Sequence, residues 1–159
     1  MQPSIRRFAA GDVESAEQLI GAELGGRIQA RLGATIDALA CDGLVAEVAG
    51  RFAGILTYVA DGADVEIVYL EAVERGAGVG TALLEAVAET TGADRMWMVT
   101  TNDNLDALRF YQRRGFRICD VRVGGADDAR RTLKPTIPAV GNFSIPIRDE
   151  IVLERRIDR

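Results

Sequence analysis

The sequence predicts an α/β fold: a mixed central sheet, antiparallel in its N-terminal half, continued by a β-α-β crossover and flanked by helices. Three observations carry this. Apolar runs between residues 44 and 73 are broken by short turn signals, as in successive hairpin strands. From Gly80 the apolar period lengthens to that of a helix. The run "RMWMVTT" (Arg95 to Thr101) then reads as a buried strand, so strand, helix and strand form a crossover unit. With 159 residues and no repeat or linker, the chain is expected to form one domain over residues 1–159.

In chain order, "SIRRFA" (Ser4 to Ala9) alternates like an edge strand. Asp12 is positioned to cap a helix on which Val13, Ala16, Leu19, Ile20 and Leu24 share one face, with Gly25-Gly26 as its stop. Residues Arg27 to Ala38 read as a second helix. "LVAEVA" (Leu44 to Ala49) and "FAGILTYVA" (Phe52 to Ala60) are strands joined by a Gly50-Arg51 turn. "VEIVYLEAV" (Val65 to Val73) follows the turn Asp61-Gly62-Ala63-Asp64. Leu83, Leu84 and Val87 mark the buried face of the helix after Gly80, and "NLDALRFYQRRG" is a helix ended by Gly115. "FRICDVRV" (Phe116 to Val123) and "EIVLERRI" (Glu150 to Ile157) are the last strands. Between them, Gly125 to Asp149 is too long for a hairpin loop and too apolar for a linker, and is expected to fold over one face.

Composition narrows the function. A net charge of −5 argues against a general nucleic-acid binder. The amino terminus has no apolar signal region and no apolar run nears the ~20 residues of a membrane span, so a cytoplasmic protein is expected. The chain has no histidine, so proton transfer must use carboxylate, tyrosine, cysteine or water. Cys41 and Cys119 are too isolated for a disulfide framework, complete no metal set, and have no histidine partner to make a covalent nucleophile.

Two motifs carry the chemistry. In "RGAGVGTALLEAV" (Arg75 to Val87), alternating glycines run into a helix. Glycines let backbone N–H groups turn toward a ligand, and a helix N-terminus adds about half a positive charge, which together suit phosphate. A dinucleotide-binding fingerprint would need glycine where Thr81 stands, and a P-loop would need Gly-Lys-Ser/Thr. The second motif, "NDNLDALRFYQRRGF", sets Asn104, Ala107, Leu108 and Tyr111 on one helical face.

Together these motifs resemble the GNAT superfamily of N-acetyltransferases. The loop pattern Arg/Gln-x-x-Gly-x-Gly/Ala is filled by Arg75, Gly78 and Gly80, and Asn-x-x-Ala-x-x-x-Tyr…Gly-Phe by Asn104, Ala107, Tyr111, Gly115 and Phe116. The resemblance implies acetyl-CoA as co-substrate and splayed central strands, with pantetheine lying between Val68 to Ala72 and Val99 to Asn102. It implies a cofactor site of Leu70, Glu71, Ala72, Arg75, Gly76, Ala77, Gly78, Val79, Gly80, Thr81, Asn104, Ala107, Phe110 and Tyr111. Tyr111 is the expected proton donor to the departing thiolate. Glu66 is the first candidate for the base, followed by Glu71, Asp103 and a water relay. The implied reaction is direct attack by a primary amine of a small molecule or peptide within a ternary complex; a non-catalytic CoA-binding or regulatory module is the alternative. For the Gly125 to Asp149 excursion two readings stay open, a wall of the acceptor site or the seam of a homodimer.

Overall fold

The computed structural model describes residues 2–21 and 26–158. Its elements are β1 (Ser4–Arg7), α1 (Val13–Ile20), β2 (Ile28–Arg31), β3 (Ala34–Asp37), β4 (Asp42–Val48), β5 (Arg51–Asp61), β6 (Asp64–Ala72), α2 (Val79–Thr91), β7 (Arg95–Thr101), α3 (Leu105–Arg113), β8 (Arg117–Arg122), α4 (Gly125–Thr132) and β9 (Glu150–Arg156). Seven strands form one sheet in the order β1-β4-β5-β6-β7-β9-β8, and β2 and β3 make a separate hairpin. Within the large sheet only β6 and β7 run parallel, as the crossover through α2 requires.

Strand alternation divides the core between the two sheet faces. On one face Leu44, Leu56, Val65, Ile67, Met96 and Leu153 pack with Leu83, Leu84 and Val87 of α2 and with Tyr111 of α3. On the other, Val45 and Ile55 pack with Ala16 and Ile20 of α1 and with Leu39. The helical period read from Leu83, Leu84 and Val87 therefore holds.

Three expectations are corrected. Residues 27–38 form the β2–β3 hairpin instead of a helix. "IQARLGATID" alternates, and Leu32 (φ 51°) and Gly33 (φ 79°) both take the left-handed conformation of a tight hairpin turn. The β4–β5 turn falls on Ala49 (φ 53°) and Gly50 (φ 75°), one residue earlier than Gly50-Arg51. Asp12 does not cap α1 through its side chain. Its carboxylate turns back to accept from the Ala9 N–H at 2.9 Å and from the Arg6 guanidinium at 2.8 and 2.7 Å. Helix α1 ends at Ile20 with Gly21 (φ 60°) as its C-cap; the expected continuation through Leu24 to Gly25 lies outside the described residues. The 125–149 excursion is folded: α4 opens it, and Val140 pairs with Pro146 in an isolated bridge.

Two features of β6 shape the centre of the sheet. Thr57 pairs with Tyr69 and Tyr58 with Ile67, so Val68 is an extra residue, a β-bulge that raises local twist. On its other edge β6 pairs with β7 only from Asp64–Arg95 to Glu66–Trp97, although both strands continue beyond. The central strands therefore part at the bulge, as the expected splay requires.

Gly54 of β5 brings the start of α2 down onto this region. A Cβ there would lie 2.7 Å from Val79 Cγ1 and 2.9 Å from the Glu71 carbonyl oxygen. Gly54→Ala should destabilise the protein by about 1–3 kcal/mol, the usual cost of overpacking. Urea denaturation monitored at Trp97 should show the midpoint fall with the slope unchanged.

Candidate active site

A cleft of about 520 Å³ opens where β6, the glycine loop, α2 and α3 meet. Every residue expected in the cofactor site except Ala77 lines it, from Leu70, Glu71 and Ala72 of β6 through Arg75, Gly76, Gly78, Val79, Gly80 and Thr81 to Asn104, Ala107, Phe110 and Tyr111 of the α3 motif.

The glycines of the loop serve different purposes. Gly76 (φ 82°) and Gly78 (φ 80°) have left-handed backbone with open space where a Cβ would stand, so their demand is conformational. Gly78 is also the N-cap of α2. Gly80 has no such φ, but a Cβ there would come within 2.9 Å of the Phe110 ring. This is a packing demand: the N-terminus of α2 and the aromatic side chain of α3 meet across the cleft floor. Arg114 reinforces the junction by stacking on Phe110 at 3.7 Å and donating to Thr81 Oγ1 at 2.8 Å.

Asn104 is the N-cap of α3. Its Oδ1 accepts from the Ala107 N–H at 3.2 Å and its Nδ2 donates to Thr100 Oγ1 at 3.1 Å, tying α3 to the end of β7. Two turns on from Asn104, Tyr111 is buried between Phe110 and Phe116, with both ring pairs edge-on at 5.1 Å. Burial, helped by the nearby Glu71 carboxylate, holds its phenol well above the ordinary tyrosine range, so it stays protonated at neutral pH. Burial also raises the Glu71 carboxyl, an effect that Arg75 partly offsets.

Glu66 is not among the residues lining this cleft. It faces a second, smaller cavity of about 60 Å³ with Arg31, Val68, Val99, Thr100, Thr101 and Glu150. Both Glu66 oxygens are engaged by Arg31, at 2.8 and 3.0 Å. The β2–β3 hairpin is also held by the Leu32 N–H, which donates to Glu150 at 3.0 Å. Asp103 is buried and committed to structure, accepting from Thr101 Oγ1 at 2.6 Å and from the Asn142 N–H at 2.9 Å. The two cavities border the same parting of β6 and β7: Leu70 and Ala72 line the larger one, Val68 and Val99 the smaller.

Sequence reasoning missed Arg109, Arg113 and Arg114, which line the larger cleft, and Arg31, which neutralises Glu66. The spacing of Arg109 and Arg113, one helical turn apart after the Asn104 cap, was the available signal for the first group.

Comparisons with known proteins match the chain to one family and its fold to solved structures. Residues 40–118 match the family model for the acetyltransferase (GNAT) domain. The chain belongs to the GNAT acetyltransferase family. Within reach of this GNAT chain is the uncharacterized protein YdhI of Bacillus subtilis (strain 168), 43% identical over 112 residues, 69% of either chain. An IAA acetyltransferase from Bacillus cereus superposes with a TM-score of 0.73 at 21% identity, covering 98% of this chain and 100% of that one. A GNAT family acetyltransferase from Elizabethkingia anophelis, solved with acetyl-CoA bound, superposes with a TM-score of 0.67 at 20% identity over 98% of each chain.

The burial of the aromatic residues makes a prediction. The chain has three tyrosines, and Tyr58, Tyr69 and Tyr111 are all raised, in each case mainly by burial. An ultraviolet titration should therefore show less than half of the tyrosine ionised at pH about 10, where free tyrosine is half ionised. Because the folded state holds these protons more tightly than the unfolded chain, stability should decline as pH rises above about 10. An ordinary midpoint in the native protein would contradict this.

Proposed function

We propose that the larger cleft binds acetyl-CoA and that the protein transfers its acetyl group to a primary amine entering from the smaller cavity. The observation that carries this reading is the common lining of one cleft by the glycine loop and by Tyr111, beside the parted strands. The N–H groups at the start of α2 and the nearby arginines suit the pyrophosphate. Unpaired β6 backbone beyond Glu66 suits an amide-bearing arm lying along the strand. The thioester then falls near Ala107 and Tyr111. The amine nitrogen bonds to the carbonyl carbon as the carbon–sulfur bond breaks; Tyr111 donates its proton to the departing sulfur, leaving CoA with a neutral thiol, and the proton shed by the new amide nitrogen restores the phenol.

The amine must reach the thioester uncharged. An alkyl amine with a pKa of about 10.4 is neutral only about once in 2,500 molecules at pH 7, so a proton acceptor has work to do. We place Glu71 ahead of Glu66 in that role, reversing the order read from the sequence. Burial raises the Glu71 carboxyl and suits it to accept a proton, whereas Arg31 occupies both oxygens of Glu66. Glu66, Arg31 and Glu150 then form the polar wall met by the acceptor.

A thiol-release assay over small amines, amino acids and peptides tests the reading. On the best acceptor, Tyr111→Phe keeps the packed ring and removes the hydroxyl. Because a thiolate of pKa about 8.5 leaves tolerably without help, kcat should fall by about 10–100-fold, toward the low end of general-acid effects. The KM for acetyl-CoA and the Tm should stay near wild type. Unchanged turnover in this variant would remove Tyr111 from the mechanism.

A further inference from the structure

Asp106 lies in the first turn of α3 and lines the larger cleft, at a position that the pattern Asn-x-x-Ala leaves unspecified. Its carboxylate is shared by two arginines from different walls. Oδ2 lies 3.0 Å from Arg75 Nη1, on the glycine loop, and Oδ1 lies 3.5 Å from Arg109 Nη2, on α3. Both arginine side chains are more than 70% exposed, at 74% and 71%, so the pairs are solvent-screened and easily exchanged.

We propose that Asp106 is a resident anion at the mouth of the cofactor cleft. It holds Arg75 and Arg109 in place while the cleft is empty and competes with the cofactor's phosphates for them when it fills. The inference rests on the assignment of the cleft to acetyl-CoA. It concerns how tightly phosphate is held there, which that assignment leaves open.

The argument is one of charge and position. A phosphate that engages Arg75 must either displace the Asp106 carboxylate or sit beside it as a like charge. Both effects weaken CoA binding, and both disappear when the carboxylate becomes a neutral amide of the same shape. Weak phosphate binding is useful to a transferase that must release CoA after every turnover, since product release often limits kcat. The competing explanation is that Asp106 only stabilises the N-terminus of α3 against the helix dipole. That role would lower Tm on neutralisation without raising phosphate affinity.

Calorimetric titrations of wild type, Asp106→Asn and Asp106→Glu with CoA and with pantetheine, which lacks the phosphates, separate these accounts. Asp106→Asn should bind CoA about three- to tenfold more tightly, the scale of two lost exposed ion pairs. The gain should shrink as salt rises, pantetheine affinity should not change, and Asp106→Glu should behave as wild type. Asp106→Ser, which removes the charge but suits a helix start, repeats the test if the asparagine variant is unstable. Unchanged or weaker CoA binding in the folded neutral variants would overturn the proposal, as would equal tightening toward pantetheine. If wild type bound no CoA, the acetyl-CoA assignment itself would fail. If wild type bound CoA and the neutral variants gained nothing, only the role of Asp106 would fail.

Discussion

Parallel strands normally stay paired along their whole length, because each unpaired backbone group inside a sheet loses a hydrogen bond. In this protein β6 and β7 give up that pairing after Glu66 and Trp97, in the middle of an otherwise continuous sheet. The cost is tolerable only because the freed groups border open cavities on both sides. Much of the surrounding architecture supports that break. The bulge at Val68 twists β6 away, Gly54 admits Val79 so that α2 can start beside it, and the Asn104–Thr100 hydrogen bond starts α3 at the end of β7. What results is a gap in strand pairing with a cavity on either side, lined by Leu70 and Ala72 in one and by Val68 and Val99 in the other.

The two cavities differ in character. On the α2–α3 side the cleft is large, with arginines near its mouth and a buried phenol inside. On the hairpin side the cavity is small, and buried carboxylates meet a guanidinium from β2. The second side is assembled from distant parts of the chain. Arg31 of the hairpin holds Glu66, Leu32 donates to Glu150 at the start of β9, and Lys134 of the excursion donates to the Ile28 carbonyl oxygen.

The parts of the site legible in the sequence were those whose geometry is local. A glycine loop entering a helix, and an Asn-capped helix with Tyr111 two turns along, depend on contiguous residues and show in their spacing. The bulge at Val68 could not be read, since valine suits any strand position and the register depends on Thr57 and Tyr58 of the neighbouring strand. The β2–β3 hairpin reads as a helix from sequence because Leu32-Gly33 is a weak turn signal; its tertiary clamps lie far away, the Arg31–Glu66 pair being 35 residues apart. The placement of β9 between β7 and β8 likewise follows from long-range pairing. The position of Glu66 on a central strand is legible in the sequence, but its pairing with Arg31 depends on a hairpin that is not.

The central claim is that the parted β6 backbone receives the extended arm of acetyl-CoA. Amide hydrogen exchange with and without CoA measures this directly, because an N–H bonded to ligand is protected from exchange. The account predicts slower exchange at Val68 to Ala72 and at Gly78 to Thr81 when CoA is bound, with β1 and β4 unchanged. CoA binding that protected neither stretch would show that the ligand lies elsewhere and would contradict the account.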